Sequence, residues 1–136
     1  MTERGRLRNP SLALVERDFS GIRFGACTMT DIDGFMELGG RLFLFVESKF
    51  HHAPLPRGQA LGLERLVDAL HCPAVGRYAV AIIVDQHEKL SLVDYAELPV
   101  RCYRWCGQWR RQTPTMTLRD KVLRMEELSR TYKAVA

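Results

Sequence analysis

The sequence predicts an α/β domain (α+β in finer terms), with a central mixed, mainly antiparallel sheet flanked by helices. Three observations predict it. The chain has 136 residues, of which 46% are hydrophobic and 26% charged, which suits one core and falls short of two. Residues 42–46 and 78–84 are unbroken apolar runs of strand length, as expected for strands covered on both faces. Between them the apolar residues switch to a helical period. With no repeat and no linker-like tract, residues 1–136 read as a single domain.

The elements follow in order. Asn9-Pro10-Ser11, then Leu12, Leu14, Val15 and Phe19, predict a short amphipathic helix capped near Ser11. Residues 22–29 predict a strand interrupted at Gly25, and residues 31–37 alternate as a second strand. Leu38-Gly39-Gly40 is a turn signal. Residues 41–50 carry Leu42, Phe43, Leu44, Phe45 and Val46 in succession and predict a central strand. Pro54 and Pro56 cannot continue it. From Gln59, the spacing of Ala60, Leu63, Val67 and Leu70 predicts a helix with one face on the sheet, ending near Cys72-Pro73. Residues 77–85, rich in Val and Ile, predict a buried strand, and residues 100–110 alternate as another. Thr117 with Asp120 resembles a capping box opening a last helix, whose Leu118, Val122, Met125 and Leu128 face inward.

Charge is distributed unevenly. Residues 1–100 hold eleven Lys/Arg against thirteen Asp/Glu, whereas residues 101–136 hold nine against three. A basic strand and helix over 100–133 that also carry Tyr103, Trp105 and Trp109 suit a polyanionic partner, because Arg neutralises phosphates and aromatic rings stack on bases. Arg101, Arg104, Arg110 and Arg111 are the candidate nucleic-acid contacts. No run approaches the ~20 apolar residues of a spanning helix, and no secretory leader is read at the N-terminus, so no membrane partner is expected. Cys27, Cys72, Cys102 and Cys106 are too few and too irregular for a disulfide scaffold. They read as small buried hydrophobes in a reducing cytosol. Residues 102 and 106, on one strand, would lie about 13 Å apart, too far for a shared metal. Trp105 and Trp109, on that same strand, would share a face.

Chemistry concentrates at Asp33, Glu47 and Lys49. Glu47 and Lys49 leave the same face of a strand that reads as covered on both sides, where unpaired charge is not tolerated. If residues 31–37 and 43–49 form a hairpin around Gly39-Gly40-Arg41, Asp33 faces Glu47 and Asp31 faces Lys49. Opposed residues have Cβ atoms about 4.5–5.5 Å apart, close enough for two carboxylates to share a cation. Such an oxygen-rich pair suits Mg²⁺, with Lys49 placed to orient a water or to stabilise charge on a phosphate. A one-residue slip in register would turn Asp33 away. His51 and His52, on the loop just past Lys49, are either phosphate or proton-transfer groups or plain solvated histidines.

These residues resemble the PD-(D/E)XK nuclease superfamily, whose core is a helix, three strands, a helix and a further strand. The likeness covers about residues 11–85. The runs Thr30-Asp31-Ile32-Asp33-Gly34-Phe35, Phe45-Val46-Glu47-Ser48-Lys49 and Leu55-Pro56-Arg57-Gly58-Gln59 look like small stand-alone nucleases of phages and prophages. The resemblance implies a restriction-endonuclease-like core and a DNA endonuclease dependent on Mg²⁺ or Mn²⁺ that hydrolyses phosphodiesters. It implies metal ligation by Asp33 and Glu47, water positioning by Lys49, an extra acid from Glu16, and a polar group from Gln59. The proline that names the motif is absent, since Met29-Thr30 precedes Asp31. That leaves Asp31 as well as Asp33 in reach of the ligand's role; spacing and pairing favour Asp33, with Asp31 as a partner for Lys49 or an outer group. Small members often work as symmetric dimers, so a homodimer acting as a Holliday-junction or branched-DNA resolvase is one form of this expectation. The implied location is the cytoplasm, the host's if the chain is phage-encoded. The alternative is a DNA- or protein-binding module that keeps the fold without catalysis.

Overall fold

The computed structural model describes residues 18–87 and 93–131. The expected helix near Ser11, and Glu16 with it, lie outside those residues. The chain divides into two units, residues 1–31 and residues 32–136. In the first, Gly25 takes a left-handed φ of 62° and reverses the chain between β1 (Arg23–Phe24) and β2 (Cys27–Thr28), which pair antiparallel. Residues 22–29 are therefore not one interrupted strand but a short hairpin, because the left-handed Gly25 turns the chain back on itself.

The second unit is built on a five-stranded mixed sheet in the order β3 (Gly34–Leu38), β4 (Leu42–Phe50), β5 (Tyr78–Gln86), β6 (Val100–Trp105) and β7 (Gln108–Arg111). Only the β4–β5 pair is parallel. That pair requires a crossover, supplied by α1 (Arg57–Leu70). The other helix, α2 (Leu118–Thr131), opens as predicted, with the Thr117 hydroxyl accepting from the Asp120 amide.

Both central strands are covered on both faces, which explains their continuous apolar runs. On one face Leu42, Leu44, Val46, Val80, Ile82 and Val84 meet Leu118 and Met125 of α2. On the other Phe45, Ala79, Ala81 and Ile83 meet Leu63 and Val67 of α1. Each fully buried aliphatic side chain contributes about 1.5–3 kcal/mol by leaving water. Among the described residues, no helix is long and apolar enough to cross a membrane.

A second element departs from expectation. Residues 100–110 are not a single strand but the hairpin β6–β7, turned by Cys106 (φ 49°) and Gly107 (φ 75°). This turn type favours Asn or Asp at its first position, so a cysteine there hides the signal. Two consequences follow. Cys102 and Cys106 do not share a strand, and Trp105 and Trp109 occupy opposite faces, Trp105 beside α2 and Trp109 beside α1. The Trp109 indole N–H donates to Glu64 of α1 (2.7 Å). Nor are all the cysteines buried, since Cys27 and Cys106 are exposed.

Helix α2 also buries a charge. Lys121 is 4% exposed, its Nζ 3.2 Å from the centroid of the Tyr103 ring. Burial, with Arg124 nearby, pulls its pKa from 10.5 down to about 8. Because the folded pKa lies below the unfolded one, the amine destabilises the native state at neutral pH, and stability is regained as pH rises from about 8 towards 10.5. Lys121→Met should therefore gain about 1–2 kcal/mol at pH 7 and lose that advantage by pH 10, read from urea melts at both values.

Candidate active site

The site forms where β4 stops being apolar. The β3–β4 register runs from Leu38 opposite Leu42 to Gly34 opposite Val46, set by a turn in which Gly39 and Gly40 both take left-handed φ and the Arg41 amide bonds the Leu38 carbonyl (3.0 Å). One step further places Asp33 beside Glu47. The observed pairing thus ends one residue short of the predicted Asp33–Glu47 pair, on the same register, because β3 begins only at Gly34.

Glu47 is 5% exposed, and its Oε2 has no hydrogen-bond partner. Its Oε1 lies 3.6 Å from Lys49 Nζ. Burial pushes the Glu47 carboxyl up, and the Asp33 charge adds to the push; Gln59, Lys49 and the backbone N–H of Asp33 oppose it. Thus Asp33, Lys49 and Gln59, from just before β3, the end of β4 and the first turn of α1, all act on one buried carboxylate.

Ser48 points to the opposite face. Its backbone N–H (2.8 Å) and its hydroxyl (3.0 Å) both donate to Asp33 Oδ2, and the same hydroxyl meets the Tyr95 hydroxyl at 2.8 Å. Tyr95 belongs to a 3-10 turn, Tyr95–Glu97. Its phenol is pushed up first by burial and further by the charges of Asp33 and Glu47, against the Ser48 hydrogen bond, so it remains protonated at neutral pH. The network pins one oxygen of Asp33, Oδ2. Sequence reasoning missed both residues. Ser48 was visible as a lone hydroxyl ending an apolar strand; Tyr95, 47 residues away, carried no signal.

Ser48→Ala removes one of the two donors that orient Asp33. It should weaken Mn²⁺ binding about tenfold while shifting the melting midpoint by only a few degrees, checked by calorimetric titration and melting of the same samples. Tyr95→Phe should act in the same direction and more weakly.

The orphaned, buried Glu47 Oε2, within electrostatic reach of the Asp33 charge, is a hard oxygen donor that would fit Mg²⁺ or Mn²⁺. Among the described residues, no three His, Cys, Asp or Glu side chains converge as a ready-made metal cluster. The third acid expected, Glu16, lies outside those residues, and Asp31 belongs to the first unit.

The four arginines divide into two kinds. Arg101 Nε donates to Asp85 (2.9 Å), and Arg104 pairs with Asp68 (2.6 Å). Both charges are thus committed within the fold. Arg110 and Arg111, on β7, are exposed. Comparison of the chain with family models, with curated proteins and with solved structures finds no match in any of the three.

Proposed function

We propose that this protein is a metal-dependent deoxyribonuclease of the PD-(D/E)XK kind, hydrolysing phosphodiester bonds at the Asp33–Glu47–Lys49 site. The observation that carries this reading is Glu47: a buried carboxylate with one unpartnered oxygen, flanked by a second acid and an amine. A fold does not keep such a group for stability, because burying an unsatisfied charge is costly. Asp33 and Glu47 would hold Mg²⁺ or Mn²⁺. When bound, the ion polarises the phosphate and lowers the pKa of a bound water. Lys49, tied to Glu47, is held where its charge can orient the attacking water and offset charge on the phosphate. Gln59 restrains the Glu47 carboxylate, while Ser48 and Tyr95 fix Asp33. Arg110 and Arg111 supply sequence-independent attraction to DNA.

The test is incubation with plasmid, linear and four-way-junction DNA, in Mg²⁺ or Mn²⁺ and in chelator. Metal-dependent cutting that disappears in Asp33→Ala and Glu47→Ala is the expected result. Preferential resolution of the junction by a dimer would identify a resolvase. Tight DNA binding that ignores metal and yields no cleavage would refute the enzyme and leave the binding module.

A further inference from the structure

The turn that follows Lys49 is strained and pinned. His51 and His52 adopt φ of 49° and 58°, consecutive left-handed conformations that favour Gly or Asn. The turn is held from several sides. The Ala53 amide bonds the Phe50 carbonyl (2.9 Å), the His51 amide bonds the Gln86 carbonyl (3.1 Å), and Arg101 Nη1 donates to the Ala53 carbonyl (2.7 Å). What it presents is His52, 72% exposed, with Nδ1 3.6 Å from Oδ2 of the buried Asp85. Asp85 is itself fixed by Arg101, and its register partner across the parallel pair is Lys49. Backbone strain held by its surroundings beside a reactive centre is a sign of function.

We infer that His52 is the proton donor to the leaving ester oxygen, an inference that rests on the nuclease reading above. With Nδ1 directed at Asp85 Oδ2, the nitrogen left for substrate is Nε2, and the acting form is the imidazolium, which carries one proton on each nitrogen and keeps the Nδ1 proton after giving up the other. A water oxygen bonds to phosphorus as the bond to the ester oxygen breaks. That oxygen leaves with the electron pair and takes the Nε2 proton; the water's own proton passes to solvent, from which the imidazole is reprotonated. The groups around His52 are Asp85 from β5, Arg101 from β6 through that carboxylate, and the His87 ring at 4.8 Å; Lys49 is the backbone register partner of Asp85.

His52→Asn keeps a residue suited to the left-handed turn and removes the acid. It should fold with an unchanged or higher melting midpoint, and kcat on DNA should fall about 10²-fold with little change in KM. The alkaline limb of the kcat profile, where a general acid loses its proton, should vanish. On a 4-nitrophenyl phosphodiester of thymidine, whose leaving group departs without a proton, the loss should shrink to within about tenfold. Equal losses on both substrates, a loss confined to KM, or an unchanged pH profile would overturn the role of His52. Wild-type protein inert on both substrates with Mn²⁺ would overturn the nuclease reading and this inference with it, whereas active wild type with an undiminished His52→Asn overturns this inference alone.

Discussion

Glu47→Gln should abolish metal-dependent cleavage and at the same time make the metal-free protein more stable. Loss of a ligand that fixes the cation removes several kcal/mol of transition-state stabilisation, about 10³-fold or more in rate. The stability gain has the opposite sign because the native carboxylate is desolvated, faces Asp33, and leaves Oε2 without a partner. A neutral amide of the same size removes the charge, for a gain of about 1 kcal/mol. The pH dependence distinguishes this cause from others. With the folded pKa raised above the ordinary 4.5, the native state holds a proton that the unfolded state releases, so wild-type stability falls as pH rises through that window. The advantage of Glu47→Gln should be absent below pH 4.5 and grow as pH rises above it, as melts in chelator across this range would read. Added Mn²⁺ should then raise the wild-type midpoint and leave the variant's unmoved.

Arg101→Ala should damage the fold rather than DNA affinity. Asp85 is 5% exposed, and Arg101 is its main counter-charge, bonding also to the Ala53 carbonyl at 2.7 Å. Removing the guanidinium strands a buried carboxylate and frees the 51–53 turn, a loss of about 3–5 kcal/mol. Against a total stability of about 5–15 kcal/mol, this lowers the melting midpoint by roughly 10 °C or more. Removing Asp85 as well should recover much of the loss, because the orphaned charge goes with it. Arg110→Ala and Arg111→Ala should instead leave the midpoint in place and each reduce the salt slope of DNA binding by about one. The basic surplus at the C-terminal end alone would have assigned all four arginines to DNA.

The difference between these arginines shows where the sequence runs out. Arg101 reaches Asp85 only because β6 pairs with β5 through a register shift between Ile83 and Val84, a long-range detail that no local pattern encodes. Arg104 finds Asp68 across the sheet on α1. By contrast, the Asp33–Glu47 juxtaposition was legible because a glycine turn fixes the register of two neighbouring strands. Charge placed at the end of an apolar run then marks the site. Gln59 was legible for a similar reason: Pro56 and the helical period place it in the first turn of α1. The hairpin at 106–107 was hidden by a cysteine in a position that prefers Asn, and Lys121 by a cation–π contact with a residue on another element. Local chemistry and short-range pairing could be read; partners chosen by tertiary packing could not.

The central claim is that Asp33 and Glu47 hold one divalent cation between them. Titration of metal-free protein with Mn²⁺, followed calorimetrically, tests it most directly. Wild type should bind one ion per chain, and Asp33→Asn and Glu47→Gln should each weaken that binding well beyond tenfold, about the smallest effect expected even of an outer group. Binding of equal strength in all three proteins, or none in the wild type, would contradict the account.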